Sequence, residues 1–180
     1  MTFVDESKYA IVDYDILISE LIKSAFSNDC KVIIISPWIQ DYSLPTTWPN
    51  FSSNFIDIQD MQRISDVLKK LLQNGVEVTL VTHSASMLKG TNWTPPMIKD
   101  ALEFHERIEK EGGKICYNSK NHGKMTITSE NELSGSGNTT VPGRDPARQD
   151  NAGHLHQKNT EDYDEALTWA LKEIKESVKS

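Results

Sequence analysis

Cysteine is scarce in this sequence. Its 180 residues include only Cys30 and Cys116, each beside or within an apolar, strand-like segment. That predicts two reduced, partly buried thiols, and leaves too few for a disulfide framework or a zinc site built on thiolates. No apolar run approaches the ~20 residues that a membrane-spanning helix needs. The opening MTFVDESKYA lacks both the basic and the apolar region of a secretory signal, so the expected location is the cytoplasm. Positive charge is also in short supply, since 19 Lys and Arg against 26 Asp and Glu leave a net charge of -7. Such a chain does not coat nucleic acid by bulk attraction, although a phosphate site needs only a few well-placed cations. No internal repeat, linker or low-complexity tract interrupts the chain, and its length fits one domain over residues 1–180 with a core of ordinary size.

Apolar residues supply the organisation. Tyr14, Leu17, Leu21, Ile22 and Ala25 recur at helical spacing, as do Met61, Ile64, Val67, Leu68, Leu71 and Leu72, which Asn74-Gly75 then closes. A third helix starts at Thr94-Pro95, turns Met97, Ala101, Phe104 and Ile108 inward, and stops at Gly112-Gly113. The last begins after Thr160 and carries Tyr163, Ala166, Leu167, Ala170, Leu171, Ile174 and Val178. Between them, KVIIISP (31–37) and VEVTLVT (76–82) are short, β-branched runs of the kind buried in a sheet, and KICYN (114–118) is a third strand. GKMTITS and ELSG form a hairpin around Glu130-Asn131. This alternation predicts an α/β fold, a mainly parallel mixed sheet flanked by helices on both faces. Long loops from Trp38 to about Asp57 and from Thr139 to about Arg148 follow strand ends, where open α/β sheets place their ligands.

The chemistry concentrates in NHGKMTITSENELSGSGN, residues 121–138. In a strand that begins at His122, residues 122, 124 and 126 share a face, so His122 and Lys124 project together. The returning strand brings Ser136 and Asn138 beside them. Lys124, Ser136 and Asn138 can each donate to phosphoryl oxygens, and the small Gly135 and Gly137 let backbone approach a ligand. An imidazole can attack phosphorus and split one hard displacement into two, while the cations offset charge on the equatorial oxygens. The residues alone therefore describe an oxyanion site, with a phosphodiester as the natural occupant. A lone H-x-K is most often incidental; the G-S-x-N at hairpin distance is what sets this one apart.

The pattern resembles the phospholipase D superfamily, whose signature is H-x-K-x4-D followed by G-S-x-N on the next strand. Here the residues are His122-Gly-Lys124, Ser129 in place of the Asp, and Gly135-Ser136-Gly-Asn138 across a slightly shorter connection. KVIIISPWI and NGVEVTLVT resemble the first two strands, and IEKEGGKICYNSKNHGKMTI resembles the helix and strand that lead into the motif. The single-motif bacterial endonuclease branch has a Glu-Asn-Ala about a dozen residues beyond the motif's Asn, and its carboxylate orients the histidine. QDNAGHLHQ puts Asp150-Asn151-Ala152 at about that distance. The resemblance thus implies a catalytic set of His122, Lys124, Ser136, Asn138 and Asp150. It also implies that Ser129 stands where the family's Asp supports the hairpin without touching phosphate.

The family's mechanism uses two such motifs, with one histidine attacking phosphorus and the other protonating the leaving oxygen. One motif here implies a homodimer with a shared site, and neither a metal nor another cofactor. The expected activity is that of a metal-independent phosphodiesterase, a nuclease acting on DNA ahead of RNA through a phosphohistidine. A catalytically weak nucleic-acid-binding or assembly module of the same fold is the alternative. A phospholipid phosphodiesterase is disfavoured because no amphipathic membrane-binding segment is evident, and no membrane partner is expected. Nucleases of this kind often work beside a helicase or a defence system, but nothing in these residues identifies such a partner.

Further residues could extend the site. Trp38 could stack a base, although packing is the commoner fate of this residue and of Trp48 and Trp93. His154 and His156 alternate on a strand and could line a substrate groove; as H-x-H they lack the further ligands a metal needs. Arg144 and Arg148, with Lys158, could follow a phosphate backbone. His83, at the end of the second strand, reads as a satisfied structural histidine ahead of a site residue.

Overall fold

The computed structural model describes residues 31–43, 61–135 and 153–179. The expected helix over Tyr14–Ala25, Cys30, Trp48 and most of the two long loops lie outside them. The described residues form a seven-stranded mixed sheet in the order β6-β5-β4-β1-β2-β3-β7. Strands β1 (Lys31–Ile35), β2 (Glu77–Thr82) and β3 (Lys114–Tyr117) make its parallel part. On one side β4 (Met125–Ile127), β5 (Asn131–Gly135) and β6 (Gly153–Gln157) add antiparallel pairings, and on the other β7 (Val178–Lys179) pairs antiparallel with β3. The parallel pairing is confined to β1–β3, neighbours in the sheet that helices join in sequence; β4 and β5 are joined by a tight turn that forces reversal, and the helix after β6 leads to β7 at the opposite edge.

The helices are α1 (Ile64–Gln73), the single turn α2 (Ala85–Leu88), α3 (Pro95–Lys110) and α4 (Glu161–Glu176). Their ends carry the expected chemistry. Asp66 reaches back to accept from the Arg63 and Gln62 backbone N–H groups at 2.8 and 3.0 Å. Gly75 takes φ +83° after α1, a conformation that favours glycine. Thr160 caps α4 by accepting from the Tyr163 N–H. Helix α4 is shorter than its apolar spacing suggests: Ser177 ends it, and Val178 sits in β7 against Tyr117.

Alternation along β1 sends its side chains to two cores. Val32 and Ile34 join Val78, Leu80, Leu68, Leu71, Phe104 and Ile108 beneath α1 and α3. Ile33 and Ile35 join Val81, Cys116, Ile127, Tyr163 and Ala170 beneath α4. Helices therefore cover both faces, as the apolar runs of β1 and β2 require. Among the described residues no helix is long and apolar enough to cross a membrane.

Candidate active site

The carboxyl ends of β1 and β2 lie at the same end of the sheet as the start of β4, because β4 runs antiparallel to β1. The chain crosses that end between β3 and β4, and its two asparagines hold it there. Asn118 donates through Nδ2 to Glu173 Oε2 at 2.8 Å and accepts from the Lys120 N–H at 3.0 Å. Asn121, buried, donates through Nδ2 to the Val81 carbonyl at 3.4 Å and accepts on Oδ1 from the Gly123 N–H at 2.9 Å. Both asparagines close local turns of the chain with their own side chains.

His122 and Lys124 come immediately before β4. His122 is exposed and Lys124 half-buried, and Lys124 Nζ donates to the His122 carbonyl at 3.1 Å. Gly123 between them lies flat against α4: a Cβ there would fall 2.2 Å from Trp169 Cη2. The glycine of H-G-K thus has a steric cause, since an indole occupies the place of the middle side chain.

The hairpin returns beside the same residues. Met125 pairs with Ser134, and the Gly135 N–H donates to the Lys124 carbonyl at 3.0 Å. Gly135 in turn faces Gly153 on β6. The chain therefore leaves the described residues at Gly135 and re-enters at Gly153, both beside Lys124's end of the hairpin. Ser136, Asn138, Arg144, Arg148 and Asp150 belong to the segment between those two glycines and lie outside the described residues. Ser129 sits at the other end of β4, buried, where its Oγ accepts from the Lys31 N–H at 3.4 Å. That hydroxyl ties the β4–β5 turn to the start of β1, far from Lys124.

The remaining candidates are distributed. Trp38 is half-buried and packs with Trp93 (ring centroids 6.2 Å apart) against Leu88, Ile98 and Ala101. His154 is exposed on β6, its ring stacked on His156 at 6.1 Å. His156 Nδ1 is 2.8 Å from Glu132 Oε2. Glu132 has 0% exposure and gives no sign of that in the sequence. Burial pushes its carboxyl above the usual range, opposed by hydrogen bonds from Ser134 and His156 and by the nearness of the two histidines. Glu132 pairs with Ile127 on one side and His156 on the other, so its side chain shares the sheet face on which Ile127 packs beneath α4.

His83 stands where the sequence puts it, at the end of β2, and its partner is what the sequence does not reveal. It follows β2 directly, and its Nε2 lies 2.9 Å from the carbonyl of Asn121, next to His122. Burial depresses its pKa, the Asn121 carbonyl pulls the other way, and the neighbouring His122 adds to the depression.

No protein-family model matches the sequence, and no curated protein matches it. Solved structures do. Nuc from Salmonella typhimurium, a phospholipase D family member, superposes with a TM-score of 0.58 at 14% identity, covering 92% of this chain and 90% of that one. The chain has a phospholipase D-like fold. Polyphosphate kinase from Porphyromonas gingivalis is similar at a TM-score of 0.60 and 17% identity, over 90% of this chain and 24% of the kinase. TrmBL2, an archaeal chromatin protein with a novel mode of DNA binding, is similar at 0.50 and 10% identity, over 94% of this chain and 51% of that one. At these identities the likeness concerns the fold, and the phospholipase D-like fold is the one that the resemblance of the motif to that family implies.

Proposed function

We propose that this protein is a metal-independent phosphodiesterase of the phospholipase D type, and that it acts as a nuclease with DNA ahead of RNA as substrate. The observation that carries the reading is the bond from the Gly135 N–H to the Lys124 carbonyl. It puts Gly135, the first residue of Gly-Ser-Gly-Asn, beside Lys124, which supports a reading in which the two halves of the motif act at one end of one hairpin. An oxyanion held there has an imidazole, an ammonium and hydrogen-bond donors within reach.

In this reading an imidazole nitrogen of His122 attacks phosphorus, and the P–O bond to the leaving strand breaks. The departing oxygen takes its proton from His122 of the partner subunit. Water then attacks the phosphohistidine, giving its proton back to that second imidazole as the P–N bond breaks. Lys124, Ser136 and Asn138 of both chains hold the phosphoryl oxygens, and Asp150 orients His122. The location of Ser129 at the far end of β4 supports a structural role for that position, so its departure from Asp bears on stability more than on catalysis. The whole of residues 1–180 acts as one domain in this scheme, in the cytoplasm, as a twofold dimer.

A binding module of the same fold is the second reading, favoured by the likeness to a chromatin protein that binds DNA. Cleavage of labelled single- and double-stranded DNA and RNA in excess EDTA separates the two. A nuclease cleaves at least one of them without metal, whereas a binding module retards them intact.

A further inference from the structure

We infer that His83 is a positioning residue for His122, acting through the carbonyl of Asn121; the inference rests on the reading of His122 as the nucleophile. The His83 backbone is fixed at the end of β2, where its N–H donates to the Pro37 carbonyl at 3.1 Å and Thr82 Oγ1 donates to the same carbonyl at 3.2 Å. The ring is 7% exposed and has one hydrogen-bonding partner among the described residues, the Asn121 carbonyl at 2.9 Å. A carbonyl only accepts, so the ring proton is on Nε2. Nδ1 is then the bare nitrogen, and it is buried with no hydrogen-bond partner among the described residues. A buried imidazole with one nitrogen unsatisfied is retained at a cost, and the bond that its other nitrogen makes is to the peptide that carries His122.

That peptide is held on both sides. Asn121 offers its carbonyl to His83 and its Oδ1 to the Gly123 N–H, while the His122 carbonyl accepts from Lys124 Nζ. Of these three bonds, only the one from His83 comes from outside residues 121–124. It therefore anchors the His122 turn to the rigid end of β2. Without it, the bonds left to the rest of the chain are the Gly135 N–H on the Lys124 carbonyl at 3.0 Å, the Asn121 N–H on the Asn118 carbonyl at 3.3 Å and Asn121 Nδ2 on the Val81 carbonyl at a long 3.4 Å, and none of them is made by the peptide that joins Asn121 to His122. A nucleophile must be held within a fraction of an ångström of its line of attack, and a displacement of about 1 Å can cost about a hundredfold in rate.

The test compares His83→Met, which keeps side-chain bulk without a donor, with His83→Gln, which can still donate to the Asn121 carbonyl. In cleavage assays, His83→Met is expected to lower kcat roughly tenfold to a hundredfold with KM little changed, and His83→Gln to recover most of that loss. In NMR spectra, with the His122 ring signals assigned by their absence in His122→Ala, His83→Met is expected to shift or broaden them and His83→Gln to restore them. Equal losses in the two variants, or unchanged kcat and unchanged His122 signals in His83→Met, overturn the inference. So does a His83 ring protonated on Nδ1 in the wild-type protein, a measurement that needs no variant to fold. The NMR arms do not depend on cleavage, so a wild-type protein that cuts nothing contradicts the proposed function without obscuring whether His83 holds His122 in place.

Discussion

Gly123 has no room for a side chain. The indole of Trp169 already fills the place where a Cβ would go, 2.2 Å from the nearest ring atom, and relief requires movement either of α4 or of the turn that carries His122. Overpacking of this kind costs about 1–3 kcal/mol. Gly123→Ala is therefore expected to lower the urea midpoint by an amount in that range, and an unchanged midpoint would mean that Trp169 gives way freely. The two residues flanking this glycine are legible in the sequence, because H-x-K followed at hairpin distance by G-S-x-N seldom arises by chance. The fit against Trp169 is not, because it joins residues 46 positions apart, and nothing local in a glycine records which neighbour excludes its side chain. The partner of His83 is hidden for a related reason: it is a backbone carbonyl, and backbone atoms leave no mark on sequence.

Strands β5 and β6 carry the other buried polar feature. Glu132 lies opposite His156 in the ladder, and burial raises its carboxyl above the ordinary glutamate value of 4.5. The folded state thus holds the proton more tightly than the unfolded chain does. The contribution of this group to stability is greatest below about 4.5 and is lost as pH rises through the raised folded value. Glu132→Gln removes that dependence. Relative to Glu132→Gln, the wild-type protein is expected to lose stability as pH rises from about 4.5 towards about 7, measured as the difference in urea midpoints; a constant or growing advantage of wild type over that interval would contradict the assignment. At this scale the sequence announces α1, α3 and α4 clearly, through apolar spacing and capping residues. It misleads at the margins. Leu171 has the spacing of an inward residue and is 50% exposed, while Val178 continues the helical pattern but pairs with the free edge of β3. Both outcomes depend on which surfaces the rest of the chain leaves uncovered, and periodicity carries no information about that.

For the molecule as a whole, one H-x-K followed at hairpin distance by G-S-x-N in 180 residues is half of what the proposed chemistry needs. The protein is expected to sediment at twice its chain mass of 20.3 kDa, and a strictly monomeric protein that still cleaves would contradict the shared site. The architecture that brings Gly135 back beside Lys124 is readable because each step is local: alternating elements imply crossovers, and a short turn implies an antiparallel return. The pairings of β6 and β7 are less so, since they join residues far apart in sequence. The decisive measurement is cleavage of labelled DNA and RNA, single- and double-stranded, in excess EDTA, with wild type beside His122→Ala. Cleavage by the wild type and none by His122→Ala is the predicted result. Cleavage by both proteins alike, or activity that EDTA abolishes and Mg²⁺ restores, would contradict a metal-free mechanism centred on His122.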